Sequence, residues 1–138
     1  MLKGLSHVAI AVTDPDQALE FYLKIPGIKE HFRLFRDDGT LGLIYLKVGP
    51  NEQFIELLPR AVGKHEMAHT AGYRHVSLWV EDMDALYNAV IANGLTVGVP
   101  PKMGGDGAIQ MWMDDPDGNP IEFHQLLPDS LQMRGSGE

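Results

Sequence analysis

Four side chains able to hold a divalent cation, His7, Glu56, His75 and Glu122, recur in two matching places along this 138-residue chain. The histidines stand 68 positions apart and the glutamates 66. Each lies in a short apolar run: Ser-His-Val-Ala-Ile-Ala-Val at 6–12, Phe-Ile-Glu-Leu-Leu at 54–58, Arg-His-Val-Ser-Leu-Trp-Val at 74–80 and Pro-Ile-Glu-Phe-His at 120–124. Two imidazoles and two carboxylates suit a borderline divalent ion such as Zn²⁺, Ni²⁺, Co²⁺ or Fe²⁺. Without an ion, two carboxylates buried together are opposed by desolvation and by their mutual repulsion. A cation removes both penalties. The chain has no cysteine, so disulfides, thiolate sites and cysteine nucleophiles are excluded and His, Asp and Glu must supply any metal ligands. Small Ala9, Ala11 and Ser77 beside the ligands leave room for a substrate.

Positioning these groups is the task of a repeated unit. With His7 set on His75, Val8 falls on Val76, Val12 on Val80, Asp14 on Asp82 and Asp16 on Asp84. Residues 5–12 alternate between two faces, as a strand does. Asp14 followed by Pro15 is a helix start, and Pro26-Gly27 ends that helix. Strands are expected at 30–36, 42–48 and 53–58, separated by turn signals at Asp37-Asp-Gly39 and Gly49-Pro-Asn51. The second copy predicts a strand at 74–80, a helix at 82–92 stopped by Asn93-Gly94, and strands at 95–99, 108–113 and 120–126. Asp115-Pro-Asp-Gly-Asn119 makes the last tight turn.

The expected class is therefore α+β, with two βαβββ modules at 1–60 and 72–127 in a single domain spanning 1–138. A polar linker occupies 61–71 and a flexible tail 128–138. Strand parity puts Val8, Ile10 and Val12 opposite His7, Ala9 and Ala11, and Val76, Leu78 and Val80 opposite His75, Ser77 and Trp79. Ile55 and Leu57 back Glu56, and Ile121 and Phe123 back Glu122 and His124. Two such modules paired edge to edge bring the ligand faces into one cup, an open mixed β-barrel with the helices on its convex side.

Composition narrows the function classes. A hydrophobic share of 44% and a charged share of 22% are ordinary for a globular protein. A net charge of −8 argues against nucleic-acid binding, which needs a basic face. No apolar run approaches the roughly 20 residues that span a bilayer, and the N-terminus lacks the apolar core of a secretory signal. A cytoplasmic location and a small-molecule substrate are the resulting expectations, with no nucleic-acid or membrane partner. His65-Glu-Met-Ala-His69 matches the zinc-protease signature, but that motif works on a helix with a third ligand beyond it, and here it falls in the linker just before Gly72.

The four quoted runs, with Asp115-Pro-Asp-Gly-Asn-Pro-Ile-Glu-Phe123, resemble the vicinal-oxygen-chelate superfamily over residues 4–126. That superfamily includes glyoxalase I, methylmalonyl-CoA epimerase, extradiol dioxygenases and the fosfomycin- and bleomycin-resistance proteins. The resemblance implies paired βαβββ modules cupped around one metal ion, and a homodimer. The order His, Glu, His, Glu is most like glyoxalase I; the epimerases have Gln where Glu56 stands, and the dioxygenases use two His and one Glu. It implies a metal-dependent lyase or isomerase that transfers a proton next to a carbonyl, the metal polarising the substrate oxygens and stabilising an enediolate. Glu122 or Glu56 would be the general base, and Zn, Ni or Co the metal, with Fe less favoured. Alternatives are an epimerase-like enzyme, an Fe(II) dioxygenase, or a drug-binding protein without turnover. Bacterial glyoxalases of this type grip glutathione with an Arg four residues after the first His and an Asn four after the first Glu; here those places hold Ala11 and Arg60, which points away from glutathione. Arg60, His31, Arg33, Tyr45, Trp79, Trp112 and His124 are pocket candidates. His124 is also a candidate for supporting Glu122, and Met103–Gly107 for a lid.

Overall fold

Asp14 begins the first helix as expected: its carboxylate accepts from the N–H groups of Asp16 and Gln17 at 3.0 and 3.1 Å, and Pro15 takes the first turn. Asp82 does the same for the second helix, accepting from Ala85 N–H at 3.1 Å. These caps sit in a computed structural model that describes residues 1–66 and 71–135. The first module runs β1 (His7–Ala11), α1 (Pro15–Leu23), β2 (Ile28–Phe35), β3 (Leu41–Val48) and β4 (Phe54–Leu58). The second runs β5 (Val76–Trp79), α2 (Met83–Ala92), β6 (Val99–Met103), β7 (Ile109–Asp114) and β8 (Pro120–Gln125). Each forms its own open, mixed four-stranded sheet, in the orders β1-β4-β3-β2 and β5-β8-β7-β6. The outer pairs β1–β4 and β5–β8 are parallel and the others antiparallel. The architecture is thus α+β, βαβββ twice over. By contacts the chain forms two compact units, Met1–Glu66 with Pro116–Gly118, and the rest.

Within each unit one face of the sheet is buried by its helix. Ile10, Val12, Ala18, Tyr22, Ile44, Leu46, Ile55 and Leu57 form the core of the first, and Met83, Val90, Met111, Met113, Ile121 and Phe123 that of the second. Burying an Ile, Leu or Phe side chain contributes about 1.5–3 kcal/mol. These apolar faces point every ligand-type residue to the opposite side.

Two details depart from expectation. The strand expected at 95–99 lies at 99–103, because Pro100 and Pro101 are accommodated on an edge strand: the register with β7 skips between Val99 and Lys102, where the prolines have no N–H to donate. In the stretch after Pro128, expected to be flexible, Leu131–Arg134 form a helical turn, α3, and Leu131 N–H donates to the Asp106 carbonyl at 2.8 Å. His65 and Glu66 are not helical, and His65 N–H donates to the Asp117 carbonyl; Met67, Ala68 and His69 of the protease-like motif lie outside the described residues. Among the described residues no helix is long and apolar enough to cross a membrane.

Candidate metal and proton-transfer site

In the first unit, β1 and β4 run side by side with His7 opposite Phe54 and Ala9 opposite Glu56. His7 and Glu56 are diagonal neighbours on one face, with Nε2 and Oε2 3.6 Å apart. Two adjacent ligands of one ion, bound at about 2.1 Å in tetrahedral geometry, lie about 3.4 Å apart. The pair therefore has the spacing of neighbouring ligands. Ser6 Oγ lies 3.1 Å from His7 Nδ1 and can hold the ring from behind. On the other side of β4, Tyr45 is the register partner of Glu56. A hydrogen bond to the Glu56 carboxylate, with burial and the glutamate's charge, holds the Tyr45 phenol above its ordinary range. The Tyr45 ring lies 5.5 Å from that of His7.

The second unit repeats the plan. Ser77 is opposite Glu122 across β5–β8, as Ala9 is opposite Glu56, and Trp112 flanks Glu122 across β7–β8, as Tyr45 flanks Glu56. His75, just ahead of β5, meets the Trp112 ring edge-to-face at 4.8 Å. The differences are polar. Ser77 Oγ donates to Glu122 Oε1 at 2.9 Å, a contact Ala9 cannot make. Where the first unit has Leu58, the second has His124, only 7% exposed, whose Nδ1 lies 3.6 Å from Glu122 Oε1 and whose Nε2 lies 3.2 Å from Asp106 Oδ2.

Asp106 belongs to the Met103–Gly107 segment, which is a closed turn between β6 and β7, with Gly104 N–H donating to Ala108 O and Gly107 N–H to Gly104 O. Among the described residues no three His, Asp, Glu or Cys side chains form a group that could hold a metal. The first unit sets His7 beside Glu56 on the face away from its core, and the second sets His124 beside Glu122, with His75 against Trp112.

The remaining pocket candidates divide. Trp112 Nε1 donates to Gln110 Oε1 at 2.9 Å, Arg33 is ion-paired with Glu30, and Trp79 is 67% exposed. Arg60 donates to the Thr40 hydroxyl at 2.8 Å from a strained backbone with φ +75°. Sequence reasoning gave Asp106 no role beyond its place in the Met103–Gly107 lid candidate and read Ser77 only as a small neighbour. A hydroxyl one strand away from a carboxylate was the available signal, but the β5–β8 register is needed to use it.

The profile of the glyoxalase/bleomycin resistance protein/dioxygenase superfamily matches residues 4–123. A lactoylglutathione lyase from Haemophilus influenzae is 32% identical over 126 residues, covering 85% of this chain and 88% of that protein. A lactoylglutathione lyase from Escherichia coli O157:H7 is 29% identical, covering 96% and 98%. In fold, the chain is similar to a superfamily member from Sphaerobacter thermophilus, with a TM-score of 0.72 at 24% identity and coverage of 91% and 98%. Fold, profile and relatives agree: the chain belongs to the glyoxalase/bleomycin resistance protein/dioxygenase superfamily.

Proposed function

We propose that the chain is a metal-dependent lyase or isomerase of the glyoxalase I type, moving a proton at a carbon next to a carbonyl. The supporting observation is the duplicated arrangement: in both units a glutamate stands beside a small residue on one strand and an aromatic one on the other, with a histidine against that aromatic ring. His7, Glu56, His75 and Glu122 are the proposed ligands of one divalent ion, and their nitrogen and oxygen donors suit Zn²⁺, Ni²⁺ or Co²⁺. Four ligands require two units, from one chain or from two copies in a homodimer. When bound, the ion would polarise the substrate oxygens and acidify the neighbouring C–H.

The rest falls to side chains. Ser77 fixes Oε1 of Glu122, leaving Oε2 to take the proton from one carbon and return it to the next. Glu122 is therefore the proposed base, and Glu56, bonded to Tyr45, the steadier ligand. With Ala11 and Arg60 at the places where resembling enzymes grip glutathione, the substrate is proposed to be a different carbonyl compound. The test is metal analysis of the purified protein, followed by assays on methylglyoxal hemithioacetals and a panel of acyl-CoA thioesters. Stoichiometric transition metal with turnover lost in Glu122→Gln is expected. A protein that takes up no transition metal, or Glu122→Gln at full rate, sinks the reading.

A further inference from the structure

We propose that the ring cluster on β2, β3 and β4 is a seat for a flat aromatic group of the substrate. Its starting point is a β-bulge. Glu30 is opposite Leu46 and Phe32 opposite Tyr45, so His31 is the extra residue of β2. A bulge re-aims side chains that strict alternation would separate. His31 and Phe32, adjacent in sequence, have ring centroids only 5.6 Å apart. His31 also lies 5.0 Å from Phe54, and Phe32 stacks on Tyr45 at 4.6 Å with the planes 13° apart. Tyr45 then reaches Phe54 at 6.0 Å and His7 at 5.5 Å. Five rings thus run without a break from the bulge to a proposed metal ligand, and the Tyr45 hydroxyl touches Glu56.

These rings are not the core. Residues 29–35 of β2 are exposed throughout, and Phe32 is 44% exposed, while the buried face of the same sheet is supplied by Ile44, Leu46, Ile55 and Leu57. Leaving rings in water is unfavourable unless something covers them. Of the two cations on this stretch of β2, Lys29 and Arg33, the one next to Phe32 in sequence, Arg33, is already paired with Glu30. Continuity with His7 and Glu56 points to a substrate group as the cover. An aromatic ring slots offset or edge-on among such rings, which selects aryl-substituted carbonyl compounds over peptide-like ones. This deepens the proposed activity and rests on it only for the position of the reacting carbonyl.

Two measurements separate the claims. In the first, metal-free protein is titrated with 2-naphthol, a flat uncharged probe, for the wild type, Phe32→Ala and Phe32→Leu. Saturable binding is expected, weakened about five-fold by either substitution, the size of one lost ring–ring contact. Phe32→Leu retains apolar bulk without a π face, and thermal unfolding checks that both variants fold. In the second, the hemithioacetals of phenylglyoxal and methylglyoxal with 2-mercaptoethanol are compared as substrates. The phenyl compound is expected to have the higher kcat/KM by about ten-fold or more, a preference that Phe32→Ala reduces. Binding of 2-naphthol with neither compound turned over would sink the lyase reading and leave the aromatic seat standing. Absent binding, binding indifferent to Phe32, or equal turnover of the two compounds overturns the seat. So does dimerisation that is lost in Phe32→Ala without any 2-naphthol binding, which would make the rings a subunit interface.

Discussion

Ser77 Oγ donates a 2.9 Å hydrogen bond to Glu122 Oε1, while the residue in the same register position of the first unit, Ala9, leaves Glu56 without that bond. One backbone plan thus presents two glutamates with different neighbours. Glu56 meets a phenol at its side and a histidine along its face; Glu122 meets a serine, a buried histidine and, through that histidine, an aspartate. The repeated plan sets a glutamate in the same register position of each unit, and the different neighbours give the two carboxylates different surroundings.

Removing the Ser77 hydroxyl should therefore affect one half of the site alone. Ser77→Ala is expected to weaken metal affinity by about ten-fold, the usual cost of losing a group that orients a ligand, with stability lowered by no more than about 1 kcal/mol. Competition against a chromogenic chelator measures the first and urea unfolding the second. Unchanged affinity would mean that the hydroxyl does not orient Glu122.

The Asp106–His124 contact predicts a positioning role reaching from the β6–β7 turn to the proposed base, Glu122. The Asp106 carboxylate sets the orientation of a ring that is 7% exposed and whose other nitrogen faces Glu122. Asp106→Asn, which retains the shape and removes the charge, is expected to lower kcat about ten-fold with KM little changed. A purely structural contact would instead lower thermal stability and leave the kcat of the folded protein intact. Steady-state kinetics beside a thermal melt tell the two apart.

Much of this was legible beforehand, and the line where legibility stopped has a physical cause. The repeat offset, the helix start at Asp14, the second helix near 82–92 and the alternation of faces along each strand all follow from local sequence, because parity and capping are local. Register is not local. That Tyr45 flanks Glu56 and Trp112 flanks Glu122 depends on where antiparallel strands begin to pair. The bulge at His31 hides in β2 because one extra residue has no composition signal. Pro100 and Pro101 lie inside β6, where proline reads as a strand breaker until an edge position is known. Asp106 and His124 are brought together by a turn and a strand 18 residues apart.

Asp117 is expected to be structural although it lies in an acid-rich turn. Its carboxylate accepts from the Thr13 hydroxyl at 2.6 Å and the Thr13 N–H at 3.0 Å, and it is 5% exposed. The turn requires Gly118, at φ +79°, to bend back. Asp117→Ala removes a charge-assisted acceptor and strands two donors of Thr13, at a cost of about 2 kcal/mol. Urea unfolding should show a lower midpoint with the slope unchanged. Metal affinity of the folded variant should match the wild type; a loss of affinity would instead place Asp117 in the site.

Alkaline pH should loosen the second unit through Tyr73. Its hydroxyl donates to the Pro120 carbonyl at 3.2 Å, and the ring is partly buried. Burial first, and then the charge of Asp115, push the phenol from its ordinary 10.0 up to about 12, against a smaller pull from the Val76 backbone. The folded state thus favours the neutral phenol. In the unfolded chain the same group ionises at its ordinary value, so the stabilisation is fully present below pH 10 and drains away as pH rises from there to about 12. Tyr73→Phe has no proton to lose. The variant should be less stable than the wild type at neutral pH by about 1 kcal/mol, for the lost bond to Pro120, and its stability should fall less steeply across the alkaline window. Unfolding free energies measured at intervals through that window give both slopes. If wild type and variant decline in parallel, the alkaline loss belongs to other groups and Tyr73 does not carry it.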